Sequence, residues 1–67
     1  MAITLKAARV NTGLNQAEAA KLLKISKSTL SSYERGISSP DVPTIKRIEE
    51  VYGMNYNDII FLSKDCD

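Results

Sequence analysis

The stretch KISKSTLSSYERG, residues 24–36, contains the side chains of this sequence that are best suited to binding a polar ligand. Serine hydroxyls both donate and accept hydrogen bonds, and lysine and arginine supply positive charge. Spacings of three and four residues place several of these side chains on one face of a helix. They are Lys27, Ser28, Ser31, Ser32 and Arg35. Serine is a mediocre helix former, so such a face is either an ordinary solvated surface or a surface that meets a ligand.

Helix boundary signals predict the elements that position this face. Residues that favour the N-cap precede four predicted helices: Thr4, Asn15, Ser26 and Asp41. Glycines are placed to end three of them: Gly13, Gly36 and Gly53. The fourth helix has an apolar stripe of Val42, Ile45, Ile48 and Tyr52. A fifth helix is expected in YNDIIFL, residues 56–62, and because no strand alternation is present the sequence predicts an all-α fold.

The second and third helices are joined by little more than Lys24-Ile25. So short a connection forces them to cross at about 90–120°, which is the helix-turn-helix arrangement. Ala20 is small enough for the helices to approach closely, and Ile25 is placed to fill the angle between them. Small hydroxyl side chains on the second of these helices would let it sit deep in a DNA major groove and hydrogen-bond to base edges. An ordinary corner between two helices, with no ligand, is the alternative.

Length and charge limit the chain to one small domain with an uneven charge distribution. Its 67 residues, 43% of them hydrophobic, suffice for one compact core. The net charge is only +1, but residues 1–40 carry six basic and two acidic side chains. Residues 41–67 carry three basic and six acidic ones. Unless this clustering is chance, the basic half favours a polyanionic partner.

Several classes of function are not expected from the composition. The single cysteine, Cys66, excludes a disulfide framework and favours a reducing compartment. The sequence has no signal-peptide pattern and no run of the roughly 20 apolar residues that cross a bilayer, so a soluble, cytoplasmic protein without a membrane partner is expected. There is no histidine, and Glu49 and Glu50 point about 100° apart on a helix. We therefore expect no enzyme, cofactor, metal site or small-molecule ligand.

Two longer stretches carry a family resemblance. LNQAEAAKLLKISKSTLSSYERG, residues 14–36, resembles the helix-turn-helix of the lambdoid phage repressor and Cro proteins, the XRE family. SSPDVPTIKRIEEVYGMNYNDII, residues 38–60, resembles the last two helices of that family. The chain departs from the family pattern at Lys24, Ala19 and Glu49, where glycine, leucine and a small apolar residue are common.

The resemblance implies both a fold and a function. The fold is a five-helix lambda-repressor-like domain over residues 4–62, with the helix-turn-helix at about residues 16–35 and a short polar tail over residues 63–67. The function is that of a transcriptional regulator of phage or bacterial origin that binds double-stranded operator DNA. A chain of 67 residues has no room for a ligand-sensing domain, which favours a small dimeric repressor unless the sequence is a fragment.

The resemblance also implies which side chains read bases. Family positions that face bases match Lys27, Ser28 and Ser32, and Ser31 is a further candidate. A lysine at such a position favours guanine O6 and N7. A solvated helix face remains the alternative for all four residues.

Phosphate contacts are expected on either side of the base-reading helix. At the first turn of the second helix, the Gln16 amide and the exposed backbone N–H groups can meet one phosphate. Asn15 either shares this contact or acts only as the N-cap. Arg35, Ser38 and Ser39 lie just beyond the third helix, where they can meet the next phosphates. An ordinary loop is the alternative for the two serines.

An internal ion pair is expected between Arg9 and Glu34. Arg9 falls on the same face of the first helix as Leu5, which points inward, and the matching family positions form an arginine–glutamate pair. Such a pair would lock the first helix against the third. Two exposed charges worth under about 1 kcal/mol are the alternative.

A homodimer is the expected assembly. Proteins of this architecture usually bind as dimers to half-sites roughly 34 Å apart. The last segment has more apolar side chains than a short helix hides in a small core: Tyr56, Ile59, Ile60, Phe61 and Leu62. These residues are expected at a symmetric interface, unless they fold back over the core.

A protein-interaction module is the rival function from another class. An antitoxin or anti-repressor could keep the fold and lose DNA binding. The basic first half, and the absence of acidic residues from the outward face of the third helix, favour DNA.

Overall fold

The structure is a computed structural model that describes residues 2–61, and these form four α-helices and a small parallel strand pair. The helices are α1 (Leu5–Asn11), α2 (Gln16–Leu23), α3 (Lys27–Glu34) and α4 (Val42–Tyr52). A 3-10 turn, Tyr56–Asp58, follows α4. The strands β1 (Ile3–Thr4) and β2 (Ile59–Ile60) pair in parallel. The predominantly helical class and the helix-turn-helix are as predicted.

All four predicted N-caps are confirmed by hydrogen bonds to the first turn of each helix. The acceptors are Thr4 Oγ1 (3.1 Å from the Ala7 nitrogen), Asn15 Oδ1 (2.8 Å from that of Glu18), Ser26 Oγ (3.0 Å from that of Thr29) and Asp41 Oδ1 (3.0 Å from that of Thr44). The Glu18 carboxylate accepts in return from the Asn15 N–H at 3.0 Å, which completes a capping box. Hydrogen bonding with Thr44 lowers the pKa of Asp41. Local polar chemistry therefore fixes where each helix begins.

The turn between α2 and α3 depends on an unusual backbone conformation. Lys24 lies in the left-handed region, with φ 61° and ψ 40°, where the family commonly has glycine. A side chain in this region costs on the order of 1 kcal/mol. In return the Ile25 N–H donates to the Ala20 carbonyl at 3.0 Å, and only Lys24, Ile25 and Ser26 lie between α2 and α3. A connection this short is that of the predicted helix-turn-helix.

The core lies where the four helices meet. Its largest fully buried side chains are Leu5, Leu23, Leu30 and Ile48. Ala19 and Ala20 are also buried, and their small size lets α2 pack closely against both α3 and α4. Ile25 is half-buried against this cluster, as predicted for the residue that fills the angle of the turn.

The predicted apolar stripe of α4 is confirmed only in part. Ile48 and Tyr52 are buried, but Val42 is 64% exposed, and Thr44 supplies the buried side chain of the first turn. The Tyr52 hydroxyl is buried and has no hydrogen-bond partner within residues 2–61. Burial and the nearby Glu34 carboxylate raise the pKa of Tyr52 to about 12.

The predicted fifth helix is wrong, and the predicted all-α class holds apart from one pair of two-residue strands. After one 3-10 turn the chain becomes extended, and Ile59 aligns with Ile3 while Ile60 aligns with Thr4. β-Branched residues favour extended backbone where a partner strand is at hand, and here the start of the chain supplies that partner. The Tyr56 N–H donates to Glu49 Oε2 at 2.8 Å, which fixes the turn after α4.

The strand pairing also corrects the predicted dimer surface. Ile59 is only 6% exposed and belongs to the core, so it does not form part of an exposed interface. Tyr56 and Ile60 are 47% and 44% exposed. Phe61 is half-buried and stacks on Tyr56, with ring centroids 5.2 Å apart. Leu62, the last residue of the predicted surface, lies outside the described residues.

Among residues 2–61, no helix is both long enough and apolar enough to span a membrane.

Candidate nucleic-acid interface

The helix α3 has one buried face and one open face. Leu30 is fully buried, Glu34 is 8% exposed, and Tyr33 packs half-buried against the core. On the opposite side Lys27, Ser28 and Arg35 are exposed, and Ser31 and Ser32 are half-buried. The spacing rule therefore placed the polar residues of α3 on the correct side.

The polar groups on this open face have no partners within the described part of the chain. There, the side chains of Lys27, Ser28, Ser31, Ser32 and Arg35 form neither a hydrogen bond nor an ion pair. Two other hydroxyls of the same region behave differently, because Ser26 Oγ donates to Thr29 Oγ1 at 2.7 Å and caps the helix. Within residues 2–61 the side-chain donors and acceptors of the open face are thus unoccupied, whereas the capping hydroxyls are occupied.

The structure brings Arg9 and Glu34 together as a buried ion pair between α1 and α3. Arg9 Nε lies 2.7 Å from Glu34 Oε2, and Arg9 Nη2 lies 3.4 Å from Oε1. Each residue is 8% exposed. Arg9 Nη1 also donates to the Leu14 carbonyl at 2.9 Å, so the guanidinium is tied to the loop that leads into α2. One arginine therefore connects α1, this loop and α3.

Gln16 joins the same cluster. Its Nε2 donates to Glu34 Oε1 at 2.9 Å, so Glu34 accepts from α1 and α2 at once. The sequence predicted a phosphate contact for Gln16 and did not predict this internal partner. An amide nitrogen carries two N–H groups, so the bond to Glu34 occupies one of them and leaves the other.

Asn15 acts as the N-cap of α2, as predicted from the sequence. Its Oδ1 accepts from the Glu18 N–H, and its own N–H donates to the Glu18 carboxylate. Its Nδ2, a donor, takes part in neither of these two bonds.

An open cleft of about 530 Å³ lies between α1 and the first turns of α2 and α3. It is lined by Lys6, Arg9, Asn15, Gln16, Ala17 and Lys27. Lys6 was not among the site residues predicted from the sequence. Because it precedes Arg9 by three residues on α1, helical spacing places both on neighbouring positions of one face, and this signal was present in the sequence.

The segment after α3 folds back on the end of that helix. The Ile37 N–H donates to the Ser32 carbonyl at 2.9 Å, and the Ser38 N–H shares the same acceptor at 3.4 Å. Ser38 and Ser39 are exposed, as is Arg35. These three predicted phosphate contacts therefore lie together at the C-terminal end of α3.

A second groove, of about 680 Å³, has the opposite charge. It runs along the end of α4 and the turn that follows, and it contains Glu49, Glu50 and Asp58 with a single lysine, Lys46. An acidic groove repels a polyanion, so size alone does not make it the nucleic-acid site. Within residues 2–61, no group of three potential ligand residues is arranged to hold a metal ion.

Comparison with known proteins identifies the same helix-turn-helix that the structure shows. A family model described as helix-turn-helix matches residues 5–59. Over 51 residues the chain is 39% identical to the HTH-type transcriptional regulator ImmR of Bacillus subtilis (strain 168), a match that covers 76% of this chain and 40% of the relative. Over 52 residues it is 33% identical to the cryptic phage CTXphi transcriptional repressor RstR of Vibrio cholerae, with 78% of this chain and 47% of the relative covered.

The match is to part of each relative, since the chain spans less than half the length of either one. No solved structure matches the chain significantly. The family match extends from the first residue of α1 to the first residue of β2 and includes the whole helix-turn-helix. The chain therefore belongs to the helix-turn-helix family that its sequence resembles, the XRE family of lambdoid repressors and Cro proteins.

Proposed function

We propose that the chain is a transcriptional regulator, of the repressor type, that binds double-stranded DNA with sequence specificity. The helix α3, with its C-cap at Arg35, enters the major groove of an operator. The observation that carries this proposal is the open face of α3, whose hydroxyl and ammonium groups have no partner among the described residues while the opposite face is buried in the core. A helix held in this way offers hydrogen bonds to base edges without breaking any of its own.

Sequence is read by the first two turns of this face. Lys27, Ser28 and Ser32 contact base edges, with Ser31 beside them. Because serine side chains are short, Ser31 and Ser32 let the helix backbone approach the floor of the groove closely. Lysine donates to guanine O6 and N7, and serine both donates and accepts.

Register is fixed by phosphate contacts at both ends of α3. At one end, Gln16 uses the N–H that Glu34 leaves over, and Asn15 uses its Nδ2. At the other end, Arg35, Ser38 and Ser39 meet the next phosphates. Such contacts orient the protein on the duplex without reading sequence.

Repression follows from occupancy, because a protein bound over a promoter excludes the polymerase. One module contacts few bases, so we propose a homodimer that binds half-sites roughly 34 Å apart. Its interface is formed by the exposed Tyr56 and Ile60 together with the half-buried Phe61. One relative is named as a transcriptional regulator and the other as a transcriptional repressor, which supports the proposed role in repression.

The test is selection of bound duplexes from a random pool. With the recovered sequence, Ser32→Ala should relax the preference at one base position and keep it at the others. Gln16→Ala should weaken binding to every duplex by the same factor, and its unfolding midpoint must be measured as well, because the substitution also removes a bond to Glu34. Equal loss on every duplex from both variants would contradict this division of roles.

The salt dependence of binding separates this function from a protein-interaction module of the same fold. Binding to duplex DNA should weaken steeply as salt rises, because phosphate contacts release counterions. Lys27→Glu should abolish it. If the selection enriches no duplex, and wild-type binding to duplex DNA does not depend on the salt concentration, the protein-interaction module is favoured.

A further inference from the structure

Apolar side chains lie at the surface where the end of α2 meets α4. An open groove of about 320 Å³ is found there, and we call its lining the α4 surface: Leu22, Lys24, Arg47, Glu50 and Val51. Leu22 is 53% exposed, and Val51 packs half-buried against the core. Single exposed apolar side chains are common on proteins, so a contact is indicated only if a second feature accompanies them.

The second feature is the arrangement of charge on the same surface. Lys24 and Arg47 supply two positive charges, and Glu50 belongs both to this groove and to the neighbouring acidic groove. Among residues 2–61 the only ion pair lies elsewhere, between α1 and α3, so these three charges have no counterion there. A basic part and an acidic part therefore adjoin on one side of the molecule.

The backbone at Lys24 also points to a role for its side chain. Four residues within the described range have a positive φ, and three of them are glycines. Lys24 is the exception, although glycine would adopt the same conformation without strain. A side chain at a strained position is a reason to look for a function of that side chain. The Lys24 side chain is exposed and contributes its charge to the α4 surface.

A surface with adjoining charges of opposite sign is complementary to a second copy of itself. Around a two-fold axis every residue pair occurs twice, so the basic part of each copy can meet the acidic part of the other. Arg47 and Glu50 are three residues apart on one face of α4. Two antiparallel α4 helices would place Arg47 of each copy opposite Glu50 of the other. A partner of one charge sign would match only part of this surface.

We propose that the α4 surface is a second self-association surface, on which two copies of this chain meet around a two-fold axis with Arg47 of each facing Glu50 of the other. Leu22 and Val51 form its apolar centre. The surface shares no residue with the open face of α3 or with the proposed interface at β2. It would therefore link two dimers, such as those on neighbouring operators. The contact itself needs no DNA, so it does not depend on the proposed function.

Reversal of charge tests the pairing, with self-association followed by sedimentation equilibrium over a range of concentrations. Arg47→Glu and Glu50→Arg should each weaken the association by at least about tenfold, because the two-fold axis turns both attractive pairs into repulsive ones. An equimolar mixture of the two variants should recover wild-type association, since every pair then joins opposite charges. This recovery also shows that both variants are folded.

Lys6→Glu is the matched control for charge reversal. Lys6 is an exposed helix lysine that lines the cleft between α1, α2 and α3, outside the α4 surface, so this variant should associate like the wild type. Each measurement is repeated in chains that also carry Ile60→Asp, which weakens the proposed contact at β2. The two contacts are distinguished in this way, because the effects of Arg47→Glu and Glu50→Arg should persist.

The apolar centre is tested by Leu22→Asp, which should also weaken association, because a charge there must be desolvated in the contact. Val10→Asp is its control, since Val10 is 57% exposed on α1 and lies outside the α4 surface. Both variants should keep the wild-type unfolding midpoint. The proposal is overturned if Arg47→Glu and Glu50→Arg associate like the wild type at every concentration, or if their mixture does not recover.

Discussion

Glu34 connects three helices through the hydrogen bonds of its carboxylate. Its carboxylate accepts from Arg9 on α1 and from Gln16 on α2, and it lies on the inner side of α3. The sequence predicted the first of these contacts through the family resemblance. It did not predict the second, because polar residues so far apart in sequence give no local signal that they meet.

Removing one member of this buried pair should be costly. Arg9→Met leaves the Glu34 carboxylate buried with only the Gln16 amide to bind it, so we expect a loss of about 3–5 kcal/mol in the free energy of unfolding. Urea denaturation measures the loss.

The double variant Arg9→Met/Glu34→Leu is the control for this experiment. It removes both charges, so it should be more stable than Arg9→Met alone. A loss under about 1 kcal/mol for Arg9→Met would show that the pair behaves as an exposed one.

The raised pKa of Tyr52 predicts that the free energy of unfolding decreases at alkaline pH. Its pKa is about 12 in the fold against an ordinary value of 10.0, so the unfolded chain loses this proton first. The resulting contribution to stability is complete below pH 10 and is lost as the pH rises from 10 towards 12. Tyr52→Phe should lessen this decline, and at neutral pH it should not destabilise, because the hydroxyl has no partner to lose within the described residues.

Chemical denaturation between pH 8 and pH 12 checks this prediction. Tyr56→Phe is the matched control, since Tyr56 is 47% exposed, and it should keep the wild-type profile. An equal decline in Tyr52→Phe and the wild type would contradict the assigned environment of Tyr52.

Helix starts were predictable because each depends on a few adjacent residues. A capping side chain meets a backbone N–H three residues later, as at Asn15 and Ser26, so the signal is local. The turn at Lys24-Ile25 was predictable for the same reason. The two strands were not, because each is two residues long and its partner lies at the other end of the chain. Such short strands show no alternation.

The C-terminal strand gives a direct comparison between two neighbouring isoleucines. Ile59 is 6% exposed and Ile60 is 44% exposed. Ile59→Ala should therefore cost about 2–5 kcal/mol in unfolding free energy, the range for a buried large-to-small change. Ile60→Ala should cost much less.

Thermal or urea unfolding of both variants measures the difference. Equal costs for the two isoleucines would show that the segment does not alternate between core and surface as an extended strand does.

The candidate site was predicted less completely than the fold. Spacing on α3 placed the serines and Lys27 on the open side, since a single helix face is set by periodicity alone. The cleft was not predicted, because its walls come from three helices. Lys6 was available on the same face as Arg9, but only the packing of α1 against α2 and α3 shows what it lines.

Two surfaces of the described residues differ in charge. Lys6 and Lys27 lie at the cleft beside the open face of α3, and Glu49, Glu50 and Asp58 lie in the groove at the end of α4. Residues 1–40, which include both lysines, are likewise the more basic part of the sequence, and residues 41–67 are the more acidic part. A net charge of only +1 therefore hides a dipolar distribution that would orient the protein on a polyanion.

Substitution of an exposed apolar residue of β2 tests the proposed dimer. Ile60→Asp should shift sedimentation equilibrium toward the monomer, because a charge at an apolar interface must be desolvated. Ile37→Asp is the control, since Ile37 is 51% exposed after α3 and lies outside the proposed interface. A wild-type protein that stays monomeric at high concentration and on DNA would contradict the dimer.

In the proposed complex the open face of α3 occupies the major groove of duplex DNA. Mapping backbone amide NMR shifts during titration with a selected duplex tests this placement, because every part of the surface is observed at once. We expect the largest shifts over residues 27–39 and at the first turn of α2, with little change from Lys46 to Asp58. Shifts concentrated on the acidic groove, or a complex in which the amides of α3 do not move, would contradict it.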